Sequence, residues 1–213
     1  MSKLQNVTKQ YFYLFPKEPN VDRLKLQITD ESIYSVSKPR DAERIIKIIK
    51  YVYKGNIFKS TITDATANVG GDTISFAKHF NRVNSVELNP MHCGALENNL
   101  KVYKRSNVNI ICNNYLKVMT TLKQDIIYLD PPWGGPKYSE SELVQLYLGK
   151  LDISKIIKQI KYNAKIFVIK APYNYDYKTF FKKIGKCKKK AFLIRKKIMI
   201  LVFSFFDKYI SKN

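Results

Sequence analysis

The stretch STITDATANVGGDTISFAKHF, residues 60–80, joins a predicted strand to a predicted helix through a glycine pair. The strand pattern ends near Asp64 and the helix pattern begins at Asp72. Between them, Gly70 and Gly71 allow a positive φ or a close approach of the backbone to a ligand, and the following helix offers free N–H groups. The glycine spacing differs from the dinucleotide-binding fingerprint, and a glycine pair by itself is typical of an ordinary turn.

An amphipathic helix is predicted before this stretch, within SVSKPRDAERIIKIIKYVYKG. It follows a Ser-Lys-Pro start, ends before Gly55, and has apolar residues at helical spacing: Ala42, Ile45, Ile46, Ile49 and Val52. Residues 1–33 mix aromatic with charged residues, and we interpret them as a small N-terminal helical appendage. Residues 34–213 are interpreted as the main domain.

Strand and helix patterns alternate along that main domain. The strands predicted after residue 80 are RVNSVEL, VNIIC, QDIIYLD and AKIFVIKAP, with a helix pattern between each strand and the next. Such alternation indicates βαβ units and a parallel sheet with helices on both faces. Two closely spaced strands, AFLIRK and KIMILVFSFF, should form a hairpin at the end of the sheet. We therefore predict an α/β fold with a mostly parallel sheet of about seven strands and an antiparallel strand at the end.

Composition favours a single soluble domain with a polyanionic partner. The chain has 213 residues, and its 45% hydrophobic content is enough for a core. Lys and Arg number 38 against 17 Asp and Glu, which gives a formal net charge of +21. Nucleic acid is the first candidate partner, because phosphate neutralisation dominates such binding. The alternative is that lysine is simply the default surface residue of an AT-rich genome.

Cysteine and histidine usage argues against disulfide and metal sites. Cys93, Cys112 and Cys187 are widely spaced and odd in number, which predicts no disulfide framework, no zinc site and a reducing compartment. Two histidines are too few for most metal sites. The longest apolar run, residues 198–206, is shorter than the roughly 20 residues of a membrane span, and no signal peptide is recognised. We expect an intracellular, soluble monomer that binds no membrane and no metal. The sequence does not distinguish between the nucleus and the cytoplasm.

Polar residues follow the predicted strands at the sheet edge where α/β proteins bind ligands. Glu87 ends the second strand about 20 residues past the glycine loop, where an acid can hold a ribose diol. Asn113 and Asn114 follow the third strand, where an amide could meet an adenine edge. Loop and acid together favour a nucleoside cofactor. The alternatives are a solvated strand end for Glu87 and a plain turn for the asparagines.

The fourth strand runs into DPPWGGPKY, residues 130–138, which holds the only tryptophan of the chain. Asp130 emerges at the carboxyl edge of the sheet, and the two prolines stiffen the chain beside it. A carboxylate beside an indole face suits an exocyclic amino group on a flat base, and a cationic ring would add about 0.5 to 2 kcal/mol of cation–π attraction. The alternative is a helix-capping aspartate and a Trp133 packed under a loop.

These motifs resemble the trimethylguanosine synthase family, the cap guanine-N2 methyltransferases that act on 7-methylguanosine caps. The most specific is PPWGGPxY, present as Pro131, Pro132, Trp133, Gly134, Gly135, Pro136 and Tyr138. YSVSKPRDAERI, DATANVGGDTISFA and SVELNP follow the expected order and spacing, and KQYFYLF is similar to the lead-in of the family. The resemblance runs from about residue 9 to the last strands.

The resemblance implies a class I methyltransferase fold that uses S-adenosylmethionine. The residues that it implies at the cofactor are Asp64, Thr66, Asn68, Gly70, Gly71, Thr73, Glu87, Asn114 and Asp130. The residues that it implies at the capped substrate are Lys9, Ser35, Trp133, Tyr138, Lys170 and Asn174. It further implies that Asp130, Pro131 and Trp133 form the catalytic turn, and that the appendage of residues 1–33 contributes to cap binding.

The chain departs from the family pattern at four positions. Asn68 stands at a family glycine, and Asp72 stands at a family asparagine. Asp130 stands where the animal enzymes often have serine, and Lys170 is the candidate replacement for a missing arginine. Asparagine tolerates left-handed backbone better than most residues do, so Asn68 suits a tight loop.

The expected activity is methyl transfer from S-adenosylmethionine to the exocyclic N2 of 7-methylguanosine in an RNA 5′ cap. The product is 2,7-dimethylguanosine, or 2,2,7-trimethylguanosine after a second transfer. One alternative is an amino-methyltransferase acting on adenine N6 or on an internal guanine N2 of RNA. Another is a catalytically inactive cap- or RNA-binding module. The lysine-rich segment of residues 182–197 is interpreted as an RNA track or, equally, as a solvated hairpin surface.

Overall fold

The structure is a computed structural model that describes residues 3–211. Its strands are β1 (Leu4–Asn6), β2 (Gln27–Thr29), β3 (Thr61–Asp64), β4 (Arg82–Glu87), β5 (Val108–Cys112), β6 (Ile126–Leu129), β7 (Tyr147–Leu148), β8 (Leu151–Asp152), β9 (Ile166–Pro172), β10 (Lys188–Ile194) and β11 (Ile198–Ser204). Its α-helices are α1 (Ser32–Ser35), α2 (Pro39–Val52), α3 (Gly71–His79), α4 (Pro90–Val102), α5 (Tyr115–Val118), α6 (Ile153–Ile160) and α7 (Tyr177–Ile184). Short 3-10 helices span Lys9–Leu14, Arg23–Lys25, Ile57–Lys59 and Pro136–Glu140.

A seven-stranded sheet organises the molecule, in the order β10-β11-β9-β6-β3-β4-β5. The strands from β9 to β5 in this order pair in parallel, and β11 runs antiparallel to both β9 and β10. The predicted sheet and hairpin are therefore confirmed. The antiparallel strand is β11, which lies second from the edge because it inserts between β9 and β10. A turn with Arg195 and Lys196 at positive φ joins the hairpin.

Both faces of the sheet are covered by helices, which explains the continuous apolar character of the central strands. All four residues of β6 are buried, and they alternate between the two faces. Ile127 and Leu129 pack in the core shared with α6 and α7, whereas Ile126 and Tyr128 pack in the core shared with α2 and α3. The five predicted core positions of α2 are all buried. Among residues 3–211, no helix has the length and apolar character needed to span a membrane.

The N-terminal segment packs against α4 and the glycine loop. The helical appendage predicted for residues 1–33 consists, over its described part, of two 3-10 helices, the antiparallel β1–β2 pair and the start of α1. Asn99 of α4 fastens it, because its side chain accepts from Gln27 N at 2.7 Å and donates to Gln27 O and Val69 O at 2.9 Å each. The segment shares an apolar core with the loop and α4. The domain division at residue 33 stays a prediction, and residues 1, 2, 212 and 213 lie outside the described part.

Cys93 and Cys112 form a disulfide, so the prediction of no disulfide was wrong. Their separation of 19 residues is that of one helix and one returning strand. Cys93 lies in the first turn of α4, directly after β4, and Cys112 pairs in register with Glu87 at the end of β4. The parallel crossover from β4 through α4 to β5 thus brings the two cysteines together. Because the disulfide contradicts the prediction made from cysteine spacing, that spacing no longer supports a reducing compartment. Cys187 is free.

Gly71 is expected to be intolerant of a side chain. A Cβ there would lie 2.8 Å from the Ser37 carbonyl oxygen, which is backbone and cannot yield easily. We predict that Gly71→Ala lowers the free energy of unfolding by about 1 to 3 kcal/mol, as overpacking does. Gly94→Ala is the matched control, because its Cβ would meet nothing within 4 Å and a helical alanine should stabilise by about 0.5 to 1 kcal/mol. Urea denaturation of both variants measures the difference, and equal stability of the two would contradict the packing argument.

Candidate active site

The glycine loop leaves β3, crosses the carboxyl edge of the sheet and starts α3. Asn68 and Gly70 have φ of 50° and 100°, so both lie in the left-handed region that Asn and Gly tolerate best. The Asn68 side chain accepts from Ser32 Oγ at 2.6 Å and donates to Ser35 Oγ at 3.0 Å. The structure thus brings Ser35, a predicted substrate residue, against the predicted cofactor loop.

Asp64 braces the base of this loop. It is buried, and its Oδ2 accepts from Thr73 Oγ1 at 2.7 Å. The same Thr73 hydroxyl lies 2.9 Å from Ser85 Oγ on β4. Burial and the neighbouring charge of Asp72 raise the pKa of Asp64 above its ordinary range. Asp64 and Thr73 therefore tie β3 to α3, which holds the loop over the strand end.

Glu87 is an ionised acid at the end of β4. Its Oε2 accepts from Asn68 N at 2.7 Å, and its Oε1 accepts from Asn89 N at 2.8 Å. Burial by itself would raise the pKa of Glu87, but the neighbouring His92 and the hydrogen bonds from these backbone groups hold that pKa below its ordinary value. Each carboxylate oxygen can accept more than one hydrogen bond, so Glu87 retains capacity for hydroxyl donors.

Asn114 caps α5, with its side chain accepting from Leu116 N at 2.9 Å. Asn113 in turn accepts from Asn114 N at 2.8 Å. Both side chains therefore accept hydrogen bonds from backbone N–H groups at the start of α5. A contact between Asn114 and an adenine ring stays a prediction.

Asp130 is joined to the loop and to β9. Its backbone N–H donates to Thr66 Oγ1, and its carbonyl accepts from the same hydroxyl, each at 3.1 Å. Its Oδ2 accepts from Lys170 Nζ at 2.6 Å, within an ion pair whose lysine side chain is 7% exposed. The predicted residues Thr66, Asp130 and Lys170 therefore form one cluster at the carboxyl ends of β3, β6 and β9.

A buried network extends from Lys170 away from this cluster. Lys170 Nζ also donates to Ser37 Oγ at 2.6 Å, and Ser37 donates to Asp72 Oδ2 at 2.5 Å. Tyr128 on β6 donates to the same Asp72 oxygen at 2.9 Å. Sequence reasoning missed Ser37 and Tyr128. The available signals were the SVSKPR segment and a tyrosine inside an apolar strand, which needs a polar partner.

Burial and charge set the protonation of this cluster. Burial raises the pKa of Asp130 to about 6, although Lys170 acts in the opposite direction. Burial of Lys170 would lower its pKa, but the charges of Asp130 and Asp72 raise it above its ordinary value. The lysine is therefore charged and the aspartate is mostly ionised at neutral pH.

Trp133 and Tyr138 form an aromatic pair beyond Asp130. Their ring centroids lie 5.2 Å apart with the planes at 86°, and Lys170 Nζ lies 5.7 Å from the Trp133 ring centroid. The Trp133 indole N–H is buried and completes no hydrogen bond among residues 3–211. The indole nevertheless lies close enough to Asp130 to act together with Lys170 in lowering the pKa of that carboxyl against the effect of burial.

Asn174 holds the loop that carries this aromatic pair. Its Nδ2 donates to Tyr138 O at 3.0 Å and to Ser141 O at 2.7 Å. Pro131 is buried directly after Asp130. Asn174 thus has a structural role that the sequence did not indicate, and its predicted contact with substrate stays untested.

Lys9 is a predicted substrate residue that the structure does not connect to the Asp130 cluster. It is exposed at the start of the first 3-10 helix, and within the described part of the chain no hydrogen bond, ion pair or ring contact links it to Asp130 or Trp133. Residues 3–211 also contain no group of three or more His, Cys, Asp or Glu that could hold a metal ion.

Solved structures that share this fold include methyltransferases. A protein described as a methyltransferase from Porphyromonas gingivalis superposes with a TM-score of 0.66 at 14% identity, over 85% of this chain and 44% of that chain. A tRNA methyltransferase of M. jannaschii superposes with a TM-score of 0.57 at 16% identity, over 86% of this chain and 55% of that chain. With its glycine loop and strand-end acids, the molecule is a class I S-adenosylmethionine-dependent methyltransferase.

Comparison with known sequences identifies the family of methyltransferases to which the chain belongs. Residues 59–205 match the family described as RNA cap guanine-N2 methyltransferase, and the chain belongs to that family. A relative described as an uncharacterized protein of Acanthamoeba polyphaga mimivirus is 32% identical over 213 residues, which covers 89% of this chain and 83% of the relative. The fold, family and cofactor predicted from the sequence are therefore confirmed.

Two trimethylguanosine synthases are also similar. That of Schizosaccharomyces pombe is 31% identical over 123 residues, covering 54% of this chain and 49% of the enzyme. That of Saccharomyces cerevisiae is 26% identical over 184 residues, covering 82% of this chain and 56% of the enzyme. The chain matches only 49% and 56% of the length of these enzymes.

The residues at the strand ends fit S-adenosylmethionine, which supplies a reactive sulfonium methyl group when bound. Glu87 is ionised and has acceptor capacity left, as a ribose diol requires. The loop from Asn68 to Gly71 would hold the methionine part near Asp64. Asp130 and Trp133 would face the methyl group from the neighbouring strand.

Glu87→Gln is expected to weaken binding of S-adenosylmethionine. Loss of hydrogen bonds to a charged acceptor costs about 1.5 to 3 kcal/mol, so the Kd should rise roughly tenfold to a hundredfold. Isothermal titration calorimetry with S-adenosylmethionine and with S-adenosylhomocysteine measures the change. Glu97→Gln, an exposed glutamate on α4 that pairs with Lys101, is the matched control and should bind as the unmodified protein does. An unchanged Kd for Glu87→Gln would refute the ribose assignment.

Proposed function

We propose that this methyltransferase acts on the exocyclic N2 of 7-methylguanosine in an RNA 5′ cap. The observation that carries the proposal is the juxtaposition of an ionised, partly buried Asp130 with the aromatic pair Trp133 and Tyr138. Family membership supports the same substrate. The product is 2,7-dimethylguanosine, and 2,2,7-trimethylguanosine if a second transfer follows.

The aromatic pair would receive the base. A 7-methylguanine ring carries positive charge, so it gains cation–π attraction on an indole face that a neutral guanine does not. Tyr138 meets Trp133 edge to face, and Asn174 fixes the backbone of Tyr138. The stacking face is therefore held in place before substrate arrives, which lowers the ordering cost of binding.

Asp130 would receive the amine. Lys170 bonds Oδ2, so Oδ1 is the oxygen assigned to the N2 hydrogens. Methyl transfer forms a bond from N2 to carbon and breaks the bond from carbon to sulfur, and N2 gains positive charge that an adjacent carboxylate stabilises. One N2 proton then leaves to Asp130 or to solvent. Orientation by the rigid turn and this fixed charge would supply most of the rate.

The deciding experiment compares three methyl acceptors: a 7-methylguanosine cap analogue, the unmethylated cap analogue and an adenine-containing RNA. Transfer confined to the first supports the proposal. Equal transfer to the other two would establish the alternative amino-methyltransferase acting on adenine N6 or internal guanine. Binding of cap without transfer to any acceptor would establish a cap-binding module. Chromatography of the product separates dimethylguanosine from trimethylguanosine.

Trp133→Ala is expected to raise KM for the 7-methylguanosine cap analogue about tenfold or more, because base stacking contributes roughly 1 to 3 kcal/mol. Trp133→Phe should recover part of the loss. Tyr162→Ala is a control, because this exposed aromatic lies at the end of α6, away from the carboxyl edge of the sheet. A KM for Trp133→Ala that matches the unmodified protein would remove the stacking role.

The pH dependence of kcat/KM should report Asp130. Its pKa of about 6 means that the carboxylate is lost as pH falls through that value, so kcat/KM should drop about tenfold per pH unit below it. Lys170 favours the charged carboxylate, so Lys170→Gln should move this acidic limb to higher pH. Lys165→Gln, which removes the lysine of the more exposed pair with Asp125, should leave the limb in place. An acidic limb that Lys170→Gln does not move would exclude Asp130 as the titrating acceptor.

A further inference from the structure

The lysine-rich segment predicted from the sequence divides between two surfaces. Lys189 on β10 points toward α7, with Nζ 4.5 Å from the Phe181 ring centroid. Lys188 instead bonds the Asp207 carbonyl at 2.6 Å, and Lys190 Nζ lies 5.2 Å from the Tyr51 ring centroid on the side of α2. The segment therefore forms a groove with α7 on the side of Lys189, and Lys190 also lines that groove although its ammonium group lies near Tyr51.

The groove lies between α7 and the edge strand β10, with a volume of about 490 Å³. Its lining residues include the aromatics Tyr177 and Phe181 and contain no acid. Lys178, Lys182 and Lys189 line it, are exposed, and make no ion pair with an acid within residues 3–211. Unpaired lysines suit the phosphates of a single-stranded nucleic acid, and the partly exposed ring of Tyr177 would stack on a base, whereas Phe181 is buried.

The groove is connected through the start of α7 to the loop of the proposed cap site. α7 starts at Tyr177, three residues after Asn174, whose side chain holds the loop of Trp133 and Tyr138. The loop and the start of α7 are joined again where Val144 N donates to Asn174 O and Asp176 N donates to Val144 O. α7 then runs back along the sheet, so Lys182 lies about 6 Å further from this edge than Lys178 does.

We propose that this groove binds the RNA chain immediately downstream of the cap, with its first phosphates at Lys178 and later ones at Lys182 and Lys189. This inference rests on the proposed function for its starting point. The groove would explain how a substrate larger than a cap dinucleotide gains affinity. It would also give part of the net charge of +21 a role in binding phosphates at a defined surface.

The test is the triple variant Lys178→Gln, Lys182→Gln, Lys189→Gln. Fluorescence anisotropy measures binding of a short capped RNA over a range of salt concentrations. Losing three phosphate contacts on single-stranded RNA should flatten the slope of log Kobs against log salt by about 2, and weaken binding at low salt at least about tenfold. Methylation of the cap dinucleotide should be unchanged.

The matched control replaces three exposed lysines elsewhere, Lys59, Lys104 and Lys123, by glutamine. Because it removes the same charge, an equal weakening of RNA binding by both triples would overturn the groove in favour of non-specific attraction. RNA affinity that the groove triple leaves intact would overturn it directly. If the unmodified protein methylates no cap analogue, yet only the groove triple loses RNA affinity, the proposed function fails while the groove stands.

Discussion

The ion pair between Asp130 and Lys170 is the constraint around which this site is built. Removing two charges from water is costly, and a buried pair is tolerated only when further hydrogen bonds satisfy the remaining atoms. Here Lys170 Nζ reaches both Asp130 and Ser37 at 2.6 Å. The pair joins the carboxyl ends of β6 and β9, and so fixes the turn that presents Trp133. Removal of either partner would leave the other as an uncompensated buried charge.

The same pair explains two departures from the family pattern together. Asp72 replaces an asparagine and adds a buried negative charge near Asp64 and Asp130, which raises the pKa of Asp64. Lys170 supplies the positive charge, and Ser37 connects the two through hydrogen bonds. Gly71 is required because Ser37 approaches α3 so closely. The segment before α2, the glycine loop and β9 are therefore mutually dependent, although they are far apart in sequence.

The sequence was most informative where local pattern and chemistry coincide. The alternation of strands and helices predicted the sheet, and the PPWGGPxY motif predicted the family. Contacts between distant segments were not accessible in this way. Nothing in the local pattern of Cys93 and Cys112 indicates that a parallel crossover brings their sulfur atoms together. Likewise, Ser37 and Tyr128 are identified as site residues only by their hydrogen bonds to Asp72 and, for Ser37, to Lys170, and these contacts require the tertiary structure. Strand alternation is enough to predict that the side chains of Lys189 and Lys190 lie on opposite sides of β10. Only the packed structure shows that Lys189 is the one that faces α7.

The insertion of β11 between β9 and β10 also makes the candidate site depend on the last hairpin of the sheet. β9 carries Lys170, and one of its edges is covered only by β11, the last strand of the sheet to be synthesised. Lys170 pairs in register with Ile200 of β11, so the strand that carries the lysine of the ion pair is flanked on that side by a strand that comes later in the chain. The position of Lys170, and with it the ion pair to Asp130, therefore depends on the last two strands of the sheet, although neither strand supplies a predicted site residue.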